Sequence, residues 1–200
     1  MVRPPTIVVP DPSLVILVGP AGSGKSTFAA THFAPDEILS SDTLRGIVSG
    51  DEADQSSTRP AFSILHRQLA SRLRRRLLTV VDATNVQPGA RRELLRRARS
   101  TRMPSVAVVF DLPPPIVLER NRRRRGRVVD EGVVVDHLAA LRTLVDFGVI
   151  EREGFWAVYR VRQPQELGAI AIARSDRTGP GEGPLGPTGG WIRPRSSRPR

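Results

Sequence analysis

The sequence predicts an α/β fold in which a parallel five-stranded sheet is flanked by helices. Three observations carry that expectation. Apolar runs of strand length alternate along the chain with segments whose apolar residues recur every three or four positions. The first run, Leu14–Val18 (LVILV), is apolar throughout, as a strand covered on both faces requires. A glycine-rich turn and a helix-forming stretch follow it directly.

Each element has its own signal. After Leu14–Val18 a helix begins near Lys25 (KSTFAATHF), and Glu37–Ser41 (EILSS) reads as a second, short strand. Phe62, Leu65, Leu69, Leu73 and Leu77 mark an amphipathic helix, and Leu78–Ala83 (LTVVDA) a third strand. Pro88 suits a first helical position, with Leu94, Leu95 and Ala98 as the apolar face. Ser105–Asp111 is the fourth strand, followed by a helix from about Pro115 to Arg124. Val134, Leu138, Leu141 and Val145 mark another helix, Trp156–Val161 a fifth strand, and Glu166–Ala173 a last helix. Strands separated by helices imply right-handed crossovers and a parallel sheet. The expected organisation is a proline-rich lead-in (1–13), a folded body (14–174) and a disordered Gly/Pro/Arg tail (175–200), with no internal repeat.

Composition narrows the function. The 200 residues include no cysteine, which excludes a disulfide framework, thiolate metal ligands and a thiol nucleophile. With no secretory or membrane-length apolar run, a cytoplasmic protein that does not bind membranes is expected. The net charge is +11, and of the 31 basic residues only Lys25 is lysine. A basic balance invites a polyanionic partner. An arginine bias of this kind is also what GC-rich coding DNA produces, so single surface arginines carry no message one by one.

Gly19-Pro20-Ala21-Gly22-Ser23-Gly24-Lys25-Ser26 fits G-x-x-x-x-G-K-[ST], with the strand before and helix after that a phosphate-binding loop needs. The glycines let the backbone curl so that N–H groups face phosphate oxygens, and the helix N-terminus adds positive potential. Lys25 is placed to neutralise the β- and γ-phosphates of ATP, Ser26 to ligate Mg²⁺, and Thr27 continues the nucleotide-contacting turn. The one lysine of the chain falls here, where a compact ammonium serves best.

Other groups point to transfer chemistry. Asp42, in Ser41-Asp42-Thr43-Leu44-Arg45, lies beyond the second strand, at the carboxyl edge where such sheets bind ligands. It is either a base for an acceptor hydroxyl or a helix N-cap. Arg45, one turn on, could hold an anionic group of the acceptor. Asp82 ends the third strand, where a carboxylate reaches Mg²⁺, and Asn85 could orient acceptor or phosphate; the alternative for both is a turn signal. Arg120, Arg124 and Arg127 lie in an arginine run with a glycine, which reads either as a mobile lid over the phosphates or as a solvated basic face. His32, His66 and His137 are scattered and receive no role.

Together the phosphate loop, S-S-D-x-x-R, V-V-D-A-T-N and E-R-N-x-x-R-x-x-R resemble the polynucleotide 5′-kinase type of P-loop kinase, nearest the kinase domain of bacterial polynucleotide kinase-phosphatases within the AAA-family ATPase-like group. The resemblance spans about Leu14 to Ile172. It implies a sheet order of 2-3-1-4-5 counted from Leu14–Val18, and ATP and Mg²⁺ as cofactors. It also implies Asp42 as general base, Arg45 on the acceptor's neighbouring phosphate, Arg120, Arg124 and Arg127 on the ATP phosphates, and a nucleic-acid 5′-OH end as acceptor. Relatives of that type often carry a phosphatase or ligase domain as well. The stretch from Gly46 to Pro60 departs from the pattern: Asp51, Glu52 and Asp54 would repel a nucleic-acid backbone where the acceptor should dock. A nucleoside, sugar or amino-sugar acceptor therefore stays open, as does an ATP-switched binding module without acceptor chemistry. Nothing in the sequence sets the oligomeric state.

Overall fold

The structure is a computed structural model that describes residues 5–50, 58–124 and 128–176. In chain order its strands are β1 (Thr6–Pro10), β2 (Leu14–Val18), β3 (Ile38–Ser40), β4 (Thr79–Asp82), β5 (Ser105–Phe110), β6 (Ala157–Val161) and β7 (Ala171–Ser175). Its α-helices are α1 (Lys25–His32), α2 (Ser41–Ser49), α3 (Thr58–Arg74), α4 (Pro88–Ser100), α5 (Pro114–Arg122), α6 (Glu131–Asp146) and α7 (Glu166–Ala169).

Five strands form one parallel sheet in the order β3-β4-β2-β5-β6, the order expected. The central β2 is buried at all five positions. Its period of two splits the core into two layers. Leu14, Ile16 and Val18 meet Leu65, Leu69 and Leu73 of α3 and Leu94, Leu95 and Ala98 of α4 on one face. Val15 and Leu17 meet Phe28 of α1 and Val117 of α5 on the other. Apolar burial of this extent, more than local propensity, holds α3 and α4 in place.

Two expectations give way at the ends of the body. The proline-rich lead-in contains a strand, β1, and the last helix stops at Ala169, after which the chain runs as β7. These two strands pair in parallel as a separate two-stranded sheet, Ile7 opposite Ile172 and Val9 opposite Arg174. The cause is tertiary. Ile7 and Val9 are fully buried in the second core layer, and the Tyr159 hydroxyl both accepts from Val8 N and donates to Val8 O. Arg174 then reaches back to Glu37, donating to both carboxylate oxygens at 2.8 Å. Asp51, Glu52 and Asp54 of the acidic stretch, Arg127, and the tail from Arg177 onward lie outside the described residues. Among the described residues no helix is long and apolar enough to cross a membrane.

Candidate nucleotide and acceptor site

The loop Gly19–Gly24 joins β2 to α1 in the conformation its glycines permit. Gly22 and Gly24 hold φ of 81° and 94°, left-handed values that L side chains rarely adopt. Gly22 also has no room for a side chain. A Cβ there would run into the carbonyl of Val117 and sit 3.0 Å from the amide of Asn121, so α5 lies directly against the loop. Ser23 closes the turn, its hydroxyl donating to the Pro20 carbonyl at 2.8 Å.

Lys25 opens α1 and is 8% exposed. Its Nζ donates to Pro20 O at 2.7 Å and lies 3.4 Å from Ser23 Oγ, inside the curl of the loop. Burial pulls its pKa down to about 8, against the opposing pull of Asp82 and Asp42. Asp82, at the end of β4, is 6% exposed. Burial pushes its carboxyl up, while Lys25 and a hydrogen bond from Ser26 pull it back. Ser26 and Asp82 thus stand together beside the lysine. Among the described residues no three His, Cys, Asp or Glu side chains are grouped to hold a metal by themselves. A divalent ion at Ser26 and Asp82 would need phosphate oxygens to complete its shell, which is how Mg²⁺ is commonly bound. The residues present fit that ion.

The second question raised by the sequence was whether Asp42 caps α2. It does not. The strand ends one residue earlier than expected, and Ser40 is the N-cap, its Oγ accepting from Thr43 N at 3.3 Å. Asp42 sits in the first turn, its side chain 32% exposed, paired with Arg45 and 3.9 Å from Arg124 Nη2. Arg45 is 5% exposed and donates to Asp42 Oδ1, so its guanidinium orients that carboxylate. Arg120 and Arg124 enter from α5 and the turn after it, and both line the same cavity as Lys25 and Asp42.

Asn85 lines the cavity and also ties its own turn together. Its Nδ2 donates to the carbonyls of Leu17 and Ala83, at 2.8 and 3.2 Å. With φ of 51° it brackets the ends of β2 and β4, so its amide nitrogen is turned to backbone and not to an acceptor. Arg91, on α4, holds that bracket from behind. It is fully buried, donates to the carbonyls of Asn85 and Val86, and forms a two-pronged pair with Glu153 at 2.6 and 2.8 Å. Asn121 ties α5 to the segment that leads into α6 in the same way. Its Nδ2 donates to Val129 O and its Oδ1 accepts from Val129 N.

These parts enclose one cavity of about 890 Å³, within the size range of small-molecule sites. Sequence reasoning missed several of its walls. Phe62 of α3, Val129 before α6 and Val133 within it form an apolar side, and Leu167 of α7 backs onto Gly24. His137 of α6 also lines it, and burial, with Lys25 nearby, holds that imidazole below the usual histidine range. No local signal marks these residues, because they stand at ordinary helix positions or, for Val129, just ahead of a helix.

A family model described as an AAA domain matches residues 14–145, two thirds of the chain. The chain belongs to the AAA domain family. No curated protein matches this AAA domain by sequence. Its fold is shared with a chain of the Pnkp1/Rnl/Hen1 RNA repair complex (TM-score 0.58, 21% identity, covering 74% of this chain and 47% of that one), so the AAA domain spans about half the length of that protein. A sugar kinase from Janibacter sp. HTCC2649 is similar over 78% of this chain and 90% of its own (TM-score 0.54, 18% identity). So is Kti12 of Chaetomium thermophilum in complex with ADP-AlF3, over 78% and 93% (TM-score 0.53, 16% identity). The AAA domain therefore has a kinase-like P-loop fold.

Proposed function

We propose that this AAA domain is an ATP- and Mg²⁺-dependent phosphotransferase that moves the γ-phosphate of ATP to an acceptor hydroxyl, with a polynucleotide 5′-OH end as the leading acceptor. The observation that carries the reading is the convergence of Lys25, Ser26 and Asp82 with Asp42 and Arg124 in one cavity. A nucleotide-switched module has no use for a carboxylate facing the lysine across the phosphate position.

In this reading the Gly19–Gly24 amides and Lys25 hold the β- and γ-phosphates. Ser26 and Asp82 would hold Mg²⁺, which when bound draws charge from the phosphate oxygens. Asp42 takes the proton of the acceptor hydroxyl as the acceptor oxygen bonds to the γ-phosphorus. The bond from that phosphorus to the β–γ bridging oxygen breaks and ADP leaves. Arg45 keeps the Asp42 carboxylate aimed and lies close to any anionic group next to the reacting hydroxyl. Arg120 and Arg124 neutralise charge that builds on the transferring group. Arg127 is proposed to extend this lid.

The test is transfer of ³²P from γ-labelled ATP to 5′-OH DNA and RNA oligonucleotides, nucleosides and sugars. Asp42→Asn should lower the rate by about 10²–10⁴-fold, the usual worth of a positioned general base. Label on a small acceptor alone keeps the mechanism and replaces the substrate. Slow phosphate release that Asp42→Asn leaves unchanged overturns the transferase reading in favour of a switch.

A further inference from the structure

A second concavity, of about 440 Å³, lies outside the phosphate-binding cavity, between α3 and α4. Its walls are Ser63, His66, Arg67, Ala70 and Arg74 of α3 and Arg97 of α4. Three of the six are arginine and none is acidic. Arg67 and Arg74 are exposed, stand two helical turns apart on one face, and have no carboxylate partner among the described residues. Arg97 is tied through Nε to Glu93 at 2.7 Å. Burial, with Arg97 adding to it and Glu93 opposing, holds His66 below the ordinary histidine range, so the positive charge of the groove comes from Arg67 and Arg74, with Arg97 offset by Glu93.

The groove and the cavity share no wall, but the same two helices flank both. Phe62 and Ala90, which line the cavity, begin the same two helices that carry the groove away from it. The Phe62 ring, facing the cavity, lies 6.3 Å from the His66 ring, facing the groove. From Phe62 to Arg74 the helix rises about 18 Å, room for at most about five nucleotides at the ~3.4 Å of a stacked strand and for fewer when the strand is extended. An aromatic step followed by a basic track is how proteins seat single strands without reading sequence. Anionic lipid would meet the arginines but has no use for the ring pair.

We propose that the groove between α3 and α4 seats the phosphate backbone of a single-stranded nucleic acid. The claim deepens the polynucleotide reading of the cavity and rests on it for where the strand's 5′ end lies.

The experiment uses the full chain with ADP and 3′-fluorescein oligonucleotides of 2 to 10 nucleotides, read by anisotropy across a salt series. Affinity should stop climbing by about five nucleotides, and a rise that continues to the decamer would overturn the groove as the seat. Arg67→Ala/Arg74→Ala should weaken decamer binding at least tenfold and lower the log–log salt slope by about 1.4, at ~0.7 per phosphate contact. Arg102→Ala/Arg142→Ala removes equal charge elsewhere and should change neither by more than twofold. Equal losses in both pairs mean net charge alone and overturn the groove. So does a loss seen on phosphatidylserine vesicles and not on oligonucleotides. Phosphorylation of the decamer with no dependence on Arg67 and Arg74 also overturns it while leaving the proposed activity standing. Groove-dependent binding without transfer to any oligonucleotide supports the groove and retires the polynucleotide acceptor.

Discussion

Arg91 offers the sharpest test of how the site is held together. Its guanidinium is fully buried and makes four hydrogen bonds, two to Glu153 and one each to the carbonyls of Asn85 and Val86. The Glu153 side chain is 16% exposed, so water screens it little. Arg91→Met keeps the volume and apolar stem but strands a carboxylate and two carbonyls. Breaking a buried pair from one side costs about 3–5 kcal/mol. At ~2–4 °C per kcal/mol for a chain of this size, the melting temperature should fall by roughly 6–20 °C. Arg91→Met/Glu153→Met removes both charges and leaves only the two carbonyls short, about 1–3 kcal/mol each. The double variant should therefore be no less stable than Arg91→Met, and the two single losses should be strongly non-additive. Urea denaturation of the four proteins gives the cycle. A loss below about 1 kcal/mol for Arg91→Met, or a double variant as damaged as the sum of the singles, would refute the account of Arg91 as the brace of the β4–α4 turn.

Further outcomes follow from the same geometry. With Lys25 at about 8, ADP affinity measured without metal by calorimetry should fall about tenfold per pH unit above that value, and the trend should vanish in Lys25→Arg. Because the unfolded lysine holds its proton up to its ordinary value near 10.5, the unfolded chain binds more protons between about pH 8 and 10.5. The Lys25 contribution to stability therefore rises with pH across that window, and Lys25→Met should flatten it in denaturation curves. Gly22→Ala, at φ 81° with the Val117 carbonyl in the way, should cost about 1–3 kcal/mol and abolish detectable ADP binding. Asn121→Ala frees both backbone groups of Val129, and should lower stability by about 1–3 kcal/mol and raise the KM for ATP more than it lowers kcat.

Much of the fold was legible because its signals are local. LVILV, the glycine loop and Lys25 are contiguous, and backbone sterics with helix-end electrostatics force strand, curl and helix in that order. Apolar residues three and four apart placed α3, Pro88 with Leu94, Leu95 and Ala98 placed α4, and strand-end positions put Asp42 and Asp82 at one edge of the sheet. The misreadings occurred where a distant partner decides. β7 has the alanines of a helix and β1 the prolines of a loop, yet each is a strand because Ile7 and Val9 fill the second core layer and Tyr159 serves the backbone of Val8. Asn85 could be read as a ligand or as a turn residue, and it is Leu17, 68 residues away, that takes its amide nitrogen. Arg91 looked like one more arginine among thirty, and only the approach of Glu153 across 62 residues makes it a buried brace. Phe62, His66 and Arg97 gain meaning from two helices lying side by side. Sequence by itself determined the five central strands, the helices beside them and the phosphate-loop motif, because those depend on neighbours in the chain. Tertiary structure alone decided which polar groups are free to meet a ligand, because burial and hydrogen bonding to remote backbone set that.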